Sequence, residues 1–140
     1  MLHIEYNQIM AVGDSEKVSI NCGAVDLGQI DLLVEQGLYS NRSDFFRTAI
    51  RNQLRTHESF IQHNLTARMM ALGVVGYSRA DLEELIATNQ RLSIRMIGVV
   101  YFQPDVTPEL ARKAVESIRV YGILRASKEV KDALAERIIN

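Results

Sequence analysis

The chain has 140 residues, of which 47% are apolar and 24% are charged, so it is long enough for one ordinary domain or two small ones. The formal net charge of −1 excludes nucleic-acid binding driven by bulk charge, so any such binding depends on where individual charges lie. A single cysteine excludes an internal disulfide, no apolar run approaches the roughly 20 residues that span a bilayer, and we therefore expect a cytoplasmic protein.

An alternating stretch follows residues 1–15, which show no clear period and are predicted to be an arm. In the sequence KVSINC, apolar and polar residues alternate strictly over six positions, which predicts a short strand with one face in a core. The apolar positions are Val18, Ile20 and Cys22, and the polar positions are Lys17, Ser19 and Asn21. On the core side, Cys22 is expected to be a small buried hydrophobe rather than a reactive thiol.

A helix is predicted next, over DLGQIDLLVEQG. Asp26 is the expected N-cap, and Gln29, three residues later, would complete a capping box. Gly37 follows the last turn and suits a left-handed C-terminal cap.

A second helix is predicted to begin at Asn41, which can cap it while Asp44 reaches back to the preceding backbone. Three arginines recur at every fourth position of this helix and so share one face. They are Arg47, Arg51 and Arg55. The helix is expected to continue as far as Leu72 and to end at the glycines of LGVVGY, which favour a turn.

The remaining residues predict a short helix capped by Ser78 and then alternating strands and helices. RLSIRMIGVVYF and SIRVYGILRAS are typical of strands, and each is followed by a capped helix, the first beginning at Thr107 and Pro108 and the second at Ser127. The runs IGVV and YGIL stand 24 residues apart. Their similarity indicates either a weak internal repeat, with a solenoid-like stack as one form of it, or chance likeness between two buried strands.

Residues 16–55 are predicted to form a strand, a capped helix, a glycine turn and a second capped helix. This segment is too short to bury a core alone, and its single strand needs another strand to pair with. A dimer that pairs two strands satisfies both needs. This order resembles the ribbon-helix-helix family of repressors, which includes Arc and MetJ. The stretch GLYSNRSDFFRTAIRNQL is similar to the second-helix signature of the CopG-like branch.

The resemblance implies a sequence-specific DNA-binding transcriptional regulator, a repressor, whose dimeric ribbon enters the major groove. It implies base contacts from Lys17, Ser19 and Asn21. It implies phosphate contacts from Asn41, Arg42 and Ser43 at a helix N-terminus, and from Arg47. For Arg51 and Arg55, phosphate contact stands beside two alternatives: a solvated helix face, or ion pairs with Glu35 or Asp31 of a partner chain.

The predicted fold class is therefore α+β, with a ribbon-helix-helix domain that forms an intertwined dimer over residues 16–58. A helical connector is expected over 59–90 and a β-α-β-α module for oligomerisation or effector binding over 91–140. The expected partners are double-stranded DNA and a second copy of the chain, in a dimer, a tetramer or a larger assembly.

No enzyme activity, metal or cofactor is expected from this sequence. His57 and His63 are six residues apart, which does not match helical metal-ligand spacing, and residues 64–140 contain neither histidine nor cysteine. Since Lys17 is the only basic residue on the polar face of the predicted strand, one alternative remains open. In it the fold serves only dimerisation, in an antitoxin-like protein or a scaffold that binds a protein partner.

Overall fold

The computed structural model describes residues 15–139 and divides into two compact units, Lys17–Thr66 and a second unit that begins at Ala67. The first unit holds three helices: α1 (Ala24–Glu35), α2 (Arg42–Thr56) and α3 (Glu58–Ala67). The second holds alternating strands and helices: β1 (Ala71–Tyr77), α4 (Arg79–Ala87), β2 (Leu92–Phe102), α5 (Pro108–Ala114), β3 (Val115–Arg125), α6 (Lys128–Ala133) and a 3-10 turn, Ala135–Arg137.

Helix α1 begins earlier than predicted. Its N-cap is Gly23, and no side chain caps the helix, so the roles predicted for Asp26 and Gln29 are wrong. Gly23 is extended and its carbonyl already accepts the first helical hydrogen bond, from Leu27 at 2.9 Å, which places Asp26 inside the first turn. There its carboxylate still interacts favourably with the helix dipole.

The turn between α1 and α2 forms as predicted. Gly37 is left-handed, with φ of +84°, and its N–H donates to Val34 while the N–H of Leu38 donates to Leu33, which together satisfy two terminal carbonyls of α1. Asn41 caps α2, since its Oδ1 accepts from the N–H of Asp44 at 2.8 Å. Both predicted caps are thus confirmed.

The single helix predicted from Asn41 to Leu72 is wrong. His57 leaves helical geometry between α2 and α3, and its N–H bonds to the carbonyl of Leu54, which closes the end of α2. Helix α3 ends at Ala67, and Met69 then adopts a positive φ of 50°, which turns the chain into β1.

Strand β1 is the main departure from the prediction. It lies within the segment expected to be a helical connector, and its glycines form part of a strand rather than a turn. The three strands form a parallel sheet in the order β1-β2-β3. The last part of the chain therefore contains three β-α units instead of the predicted two, because a run that looks interrupted by glycine pairs along its whole length with β2.

The helices of the second unit begin where the sequence predicts. Ser78 and Asp81 form a reciprocal capping box at the start of α4. Thr107 accepts from the N–H of Leu110, and Ser127 accepts from the N–H of Val130, both at 3.2 Å. Each β-α unit thus has a hydroxyl-capped helix after its strand.

The core of the second unit lies on one face of the sheet. Alternate strand residues pack there with side chains from the helices, among them Leu82, Ala111 and Val130. The remaining strand residues define what we call the second face. Its in-register rows are Leu72, Ile97 and Tyr121, then Val74, Val99 and Ile123.

A row of glycines crosses the sheet. Gly73, Gly98 and Gly122 are paired in register, and each has a positive φ, between 130° and 145°. A Cβ atom on Gly98 would overlap the carbonyl oxygen of Gly73, and one on Gly122 would overlap that of Gly98. The runs IGVV and YGIL therefore lie side by side in matching register, and LGVV at 72–75 is a third copy.

Candidate nucleic-acid interface

Residues 15–23 form a non-helical segment leading into α1, and residues 15–21 are all exposed. This segment is not a strand in the single chain, because a strand requires backbone hydrogen bonds to a neighbour and none of residues 15–139 provides one. The predicted strand is therefore absent from the single chain. Val18 is 80% exposed and Ile20 is 72% exposed, while Cys22 is half-buried with a free thiol.

The helices of the first unit also present uncovered apolar side chains. Of the described residues in this unit, only Ile30 is buried. The apolar residues that are more than half exposed here are Val25, Leu32, Leu38, Ile50, Leu54 and Phe60. A unit with this much uncovered apolar surface lacks a closed core and is typical of a surface that associates.

The start of α2 is fixed by an aromatic contact and a side-chain cap. Phe45 packs edge-to-face against Tyr39, with ring centroids 5.1 Å apart, which holds the beginning of the helix. Because Asn41 already satisfies the N–H of Asp44, helix geometry leaves the N–H groups of Arg42 and Ser43 without an intrahelical acceptor. These two donors lie at the positive end of the helix dipole, an arrangement that suits an anion such as a phosphate.

Arg42 makes an ion pair that the sequence pattern did not reveal. Its Nε donates to Oδ1 of Asp31 at 2.7 Å, and a terminal nitrogen donates to Oδ2 at 2.8 Å. These hydrogen bonds lower the pKa of Asp31 below its usual value and raise that of Arg42. Both side chains remain about half exposed, so the pair neutralises the Arg42 charge at the surface without burying it.

The three arginines predicted to share a face of α2 are all exposed. No carboxylate among residues 15–139 forms a salt bridge with Arg47, Arg51 or Arg55, and Asp31 is engaged by Arg42 of the same chain. The helix thus carries three exposed arginines that form no salt bridge within the described residues, and its first turn has N–H groups that no helical carbonyl accepts. Contacts with DNA bases and phosphates by the predicted residues remain predictions.

Other kinds of site find little support within the described part of the chain. No cluster of three or more histidine, cysteine, aspartate or glutamate side chains among residues 15–139 could hold a metal ion. None of the helices described there has the length and apolar character required to cross a membrane.

Comparison with known families decides the class of this protein. Residues 13–131, most of the chain, match the Ribbon-Helix-Helix transcriptional regulator family. The chain belongs to this family. No curated protein and no solved structure matches it.

The family assignment confirms the resemblance drawn from residues 16–55 and extends it. The match continues through β3 into α6, so the sheet unit belongs to the same family pattern as the helices of the first unit. Ribbon-helix-helix regulators bind DNA and are typically dimers.

Proposed function

We propose that this ribbon-helix-helix regulator acts as a homodimeric repressor that inserts a two-stranded ribbon into the major groove of DNA. One observation carries the proposal: an exposed, alternating segment lies beside helices whose apolar faces are uncovered in the single chain. Pairing this segment with its copy supplies the missing strand hydrogen bonds and covers both apolar surfaces at once.

The alternation assigns the two faces of the proposed ribbon. Val18 and Ile20 turn toward the helices of both chains, so Lys17, Ser19 and Asn21 turn outward toward the bases. Lysine donates to the guanine acceptors O6 and N7, and asparagine bridges N6 and N7 of adenine. Serine pairs with several bases and therefore contributes less discrimination.

The start of α2 is the proposed phosphate anchor. The backbone N–H groups of Arg42 and Ser43 donate to the phosphate, while Asn41 holds the helix end in place through its bond to Asp44. Arg47 adds a cationic side chain on the same helix. These contacts position the ribbon, whereas base contacts from the ribbon determine the sequence that is bound.

The proposal is tested by fluorescence anisotropy with a duplex from upstream of the protein's own gene, a scrambled duplex and several salt concentrations. We expect the native duplex to be preferred. Asn21→Ala should reduce discrimination at one base pair by about 1–3 kcal/mol, because a bidentate contact is lost. Gln62→Ala, at an exposed amide on α3, is the control that should change nothing. An Asn21→Ala variant with unaltered base preference would remove this residue from the base-reading set.

The Arg42–Asp31 ion pair leads to a second prediction. Asp31→Asn should release the Arg42 charge and make the salt dependence of DNA binding steeper, by about 0.9 in the log–log slope for each further phosphate that the protein neutralises. Glu83→Gln is the matched control, because Glu83 forms a similarly exposed ion pair, with Arg79 in the sheet unit. Equal slopes for the two variants would show that the guanidinium of Arg42 does not neutralise a phosphate.

A second candidate function is a dimerisation module that binds a protein partner instead of DNA. It is favoured by the neutralised Arg42 and by the single lysine on the outward face of the segment. Failure to bind any duplex at low salt, with intact helical structure, would support this function over the first.

A further inference from the structure

The two edges of the parallel sheet differ. On the outer side of β3, Ile118 forms a bridge with Ile138, and the N–H of Ile139 donates to the carbonyl of Ile118 at 2.8 Å. Nothing within residues 15–139 pairs with the outer side of β1. Within the described part of the chain, β1 therefore presents unsatisfied backbone donors and acceptors along one side.

Proteins usually protect such edges with charged residues, proline, bulges or very short strands. Strand β1, with the sequence ALGVVGY, has no charged residue and no proline over its seven residues. The opposite edge strand carries Glu116, Arg119 and Arg125. The contrast indicates that the outer edge of β1 is suited to pairing rather than protected against it.

We propose that β1 pairs in antiparallel orientation with β1 of a second copy of this chain, with Val74 on the two-fold axis. Val74 is the middle residue of the strand, so the pairing uses its whole length. At each of the three pairs besides Val74 itself, a small residue lies opposite a larger one. The opposed pairs are Ala71 with Tyr77, Leu72 with Gly76, and Gly73 with Val75.

Side-chain packing on the second face supports this register. Gly76 has no side chain, and the ring of Tyr101 occupies the space that a Cβ atom would take. Leu72 is 65% exposed. In the proposed pair, Leu72 of each chain lies opposite Gly76 of the other, where the Tyr101 ring offers an apolar surface.

Charge favours edge pairing over stacking of two second faces. That face carries Arg95, Arg119 and Arg125, so stacking two second faces would bring six arginines into one interface. Edge pairing of β1 brings no charged residues together. The contact uses no residue of the proposed DNA-binding ribbon, so it stands or falls independently of DNA binding.

Disulfide trapping in the full-length chain with Cys22→Ser tests the register. On a two-fold axis, Val74 faces its own copy at about 4.5–5.5 Å between Cα atoms, within the range that a disulfide bridges. Two copies of Leu72 would lie about 14 Å apart, since four residues separate them along the strand. Val74→Cys should therefore form a covalent dimer under mild oxidation, and Leu72→Cys should not.

The control is stringent because Leu72 lies on the same face and is the more exposed of the two. Equal cross-linking of both variants would indicate random collision and overturn the proposal, as would no cross-linking of a folded Val74→Cys variant. Should Val74→Cys not fold, a spin label at the exposed Leu72 answers the same question. We expect strong dipolar broadening there and none from a label at Glu129 on α6, and its absence at Leu72 would overturn the proposal.

Discussion

Replacing Gly98 with alanine is expected to lower the free energy of unfolding of the sheet unit by about 3 kcal/mol or more, since backbone strain and overpacking add. The residue has a φ of +135°, a backbone conformation that residues with a side chain rarely adopt. Its added methyl would also overlap the carbonyl oxygen of Gly73, which belongs to the backbone of the paired strand and cannot rotate away. Urea unfolding followed by far-UV circular dichroism measures the loss.

Substitutions at two other glycines distinguish the cost of backbone strain from the cost of steric overlap. Gly73 has a similar positive φ but open space around it, so Gly73→Ala should cost only backbone strain, about 1–3 kcal/mol. Gly28 lies in helix α1 with nothing nearby, and Gly28→Ala should stabilise the first unit by about 0.5–1 kcal/mol. A Gly98→Ala variant no less stable than Gly73→Ala would mean that the strands move apart freely at the glycine row.

Substitution of Ile20 by aspartate is expected to abolish DNA binding, with a loss of at least about 100-fold, because the proposed ribbon would bury two unpaired charges at several kcal/mol each. The first unit has little core of its own, so it should also lose helical structure when the ribbon cannot form. Anisotropy measures the binding loss, and far-UV circular dichroism measures the fall in helical content.

The neighbouring residue provides the matched control. Ser19→Asp places the same charge on the outward face of the ribbon, where it should weaken DNA binding through repulsion of phosphate while leaving helical content unchanged. The two substituted residues are neighbours in the sequence but lie on opposite faces of the proposed ribbon, so the comparison isolates the effect of the face. If Ile20→Asp retained both its helices and its DNA affinity, residues 16–23 would not form an intermolecular ribbon.

Several local features of this protein follow from the sequence alone. The caps at Gly37, Asn41, Ser78, Thr107 and Ser127 were all predictable, because each depends on hydrogen bonds between residues no more than five positions apart. Strands β2 and β3 were predictable from dense β-branched runs. The family resemblance over residues 16–55 likewise rests on a short contiguous motif.

Other features depend on residues that are distant in sequence, and only the tertiary structure determined them. Strand β1 was misread because glycine weakens strand propensity locally, whereas Gly76 of β1 leaves room for the ring of Tyr101 on the paired strand β2. The Asp31–Arg42 ion pair joins two helices at positions eleven residues apart in the sequence. No helical or strand periodicity links positions with that separation, so the pair could not be predicted. Helix α1 has Gly23 as its N-cap, three residues before Asp26, although no side chain caps the helix there. Short-range hydrogen bonds are encoded by neighbouring residues, while strand pairing and ion pairs between elements exist only once the chain has folded.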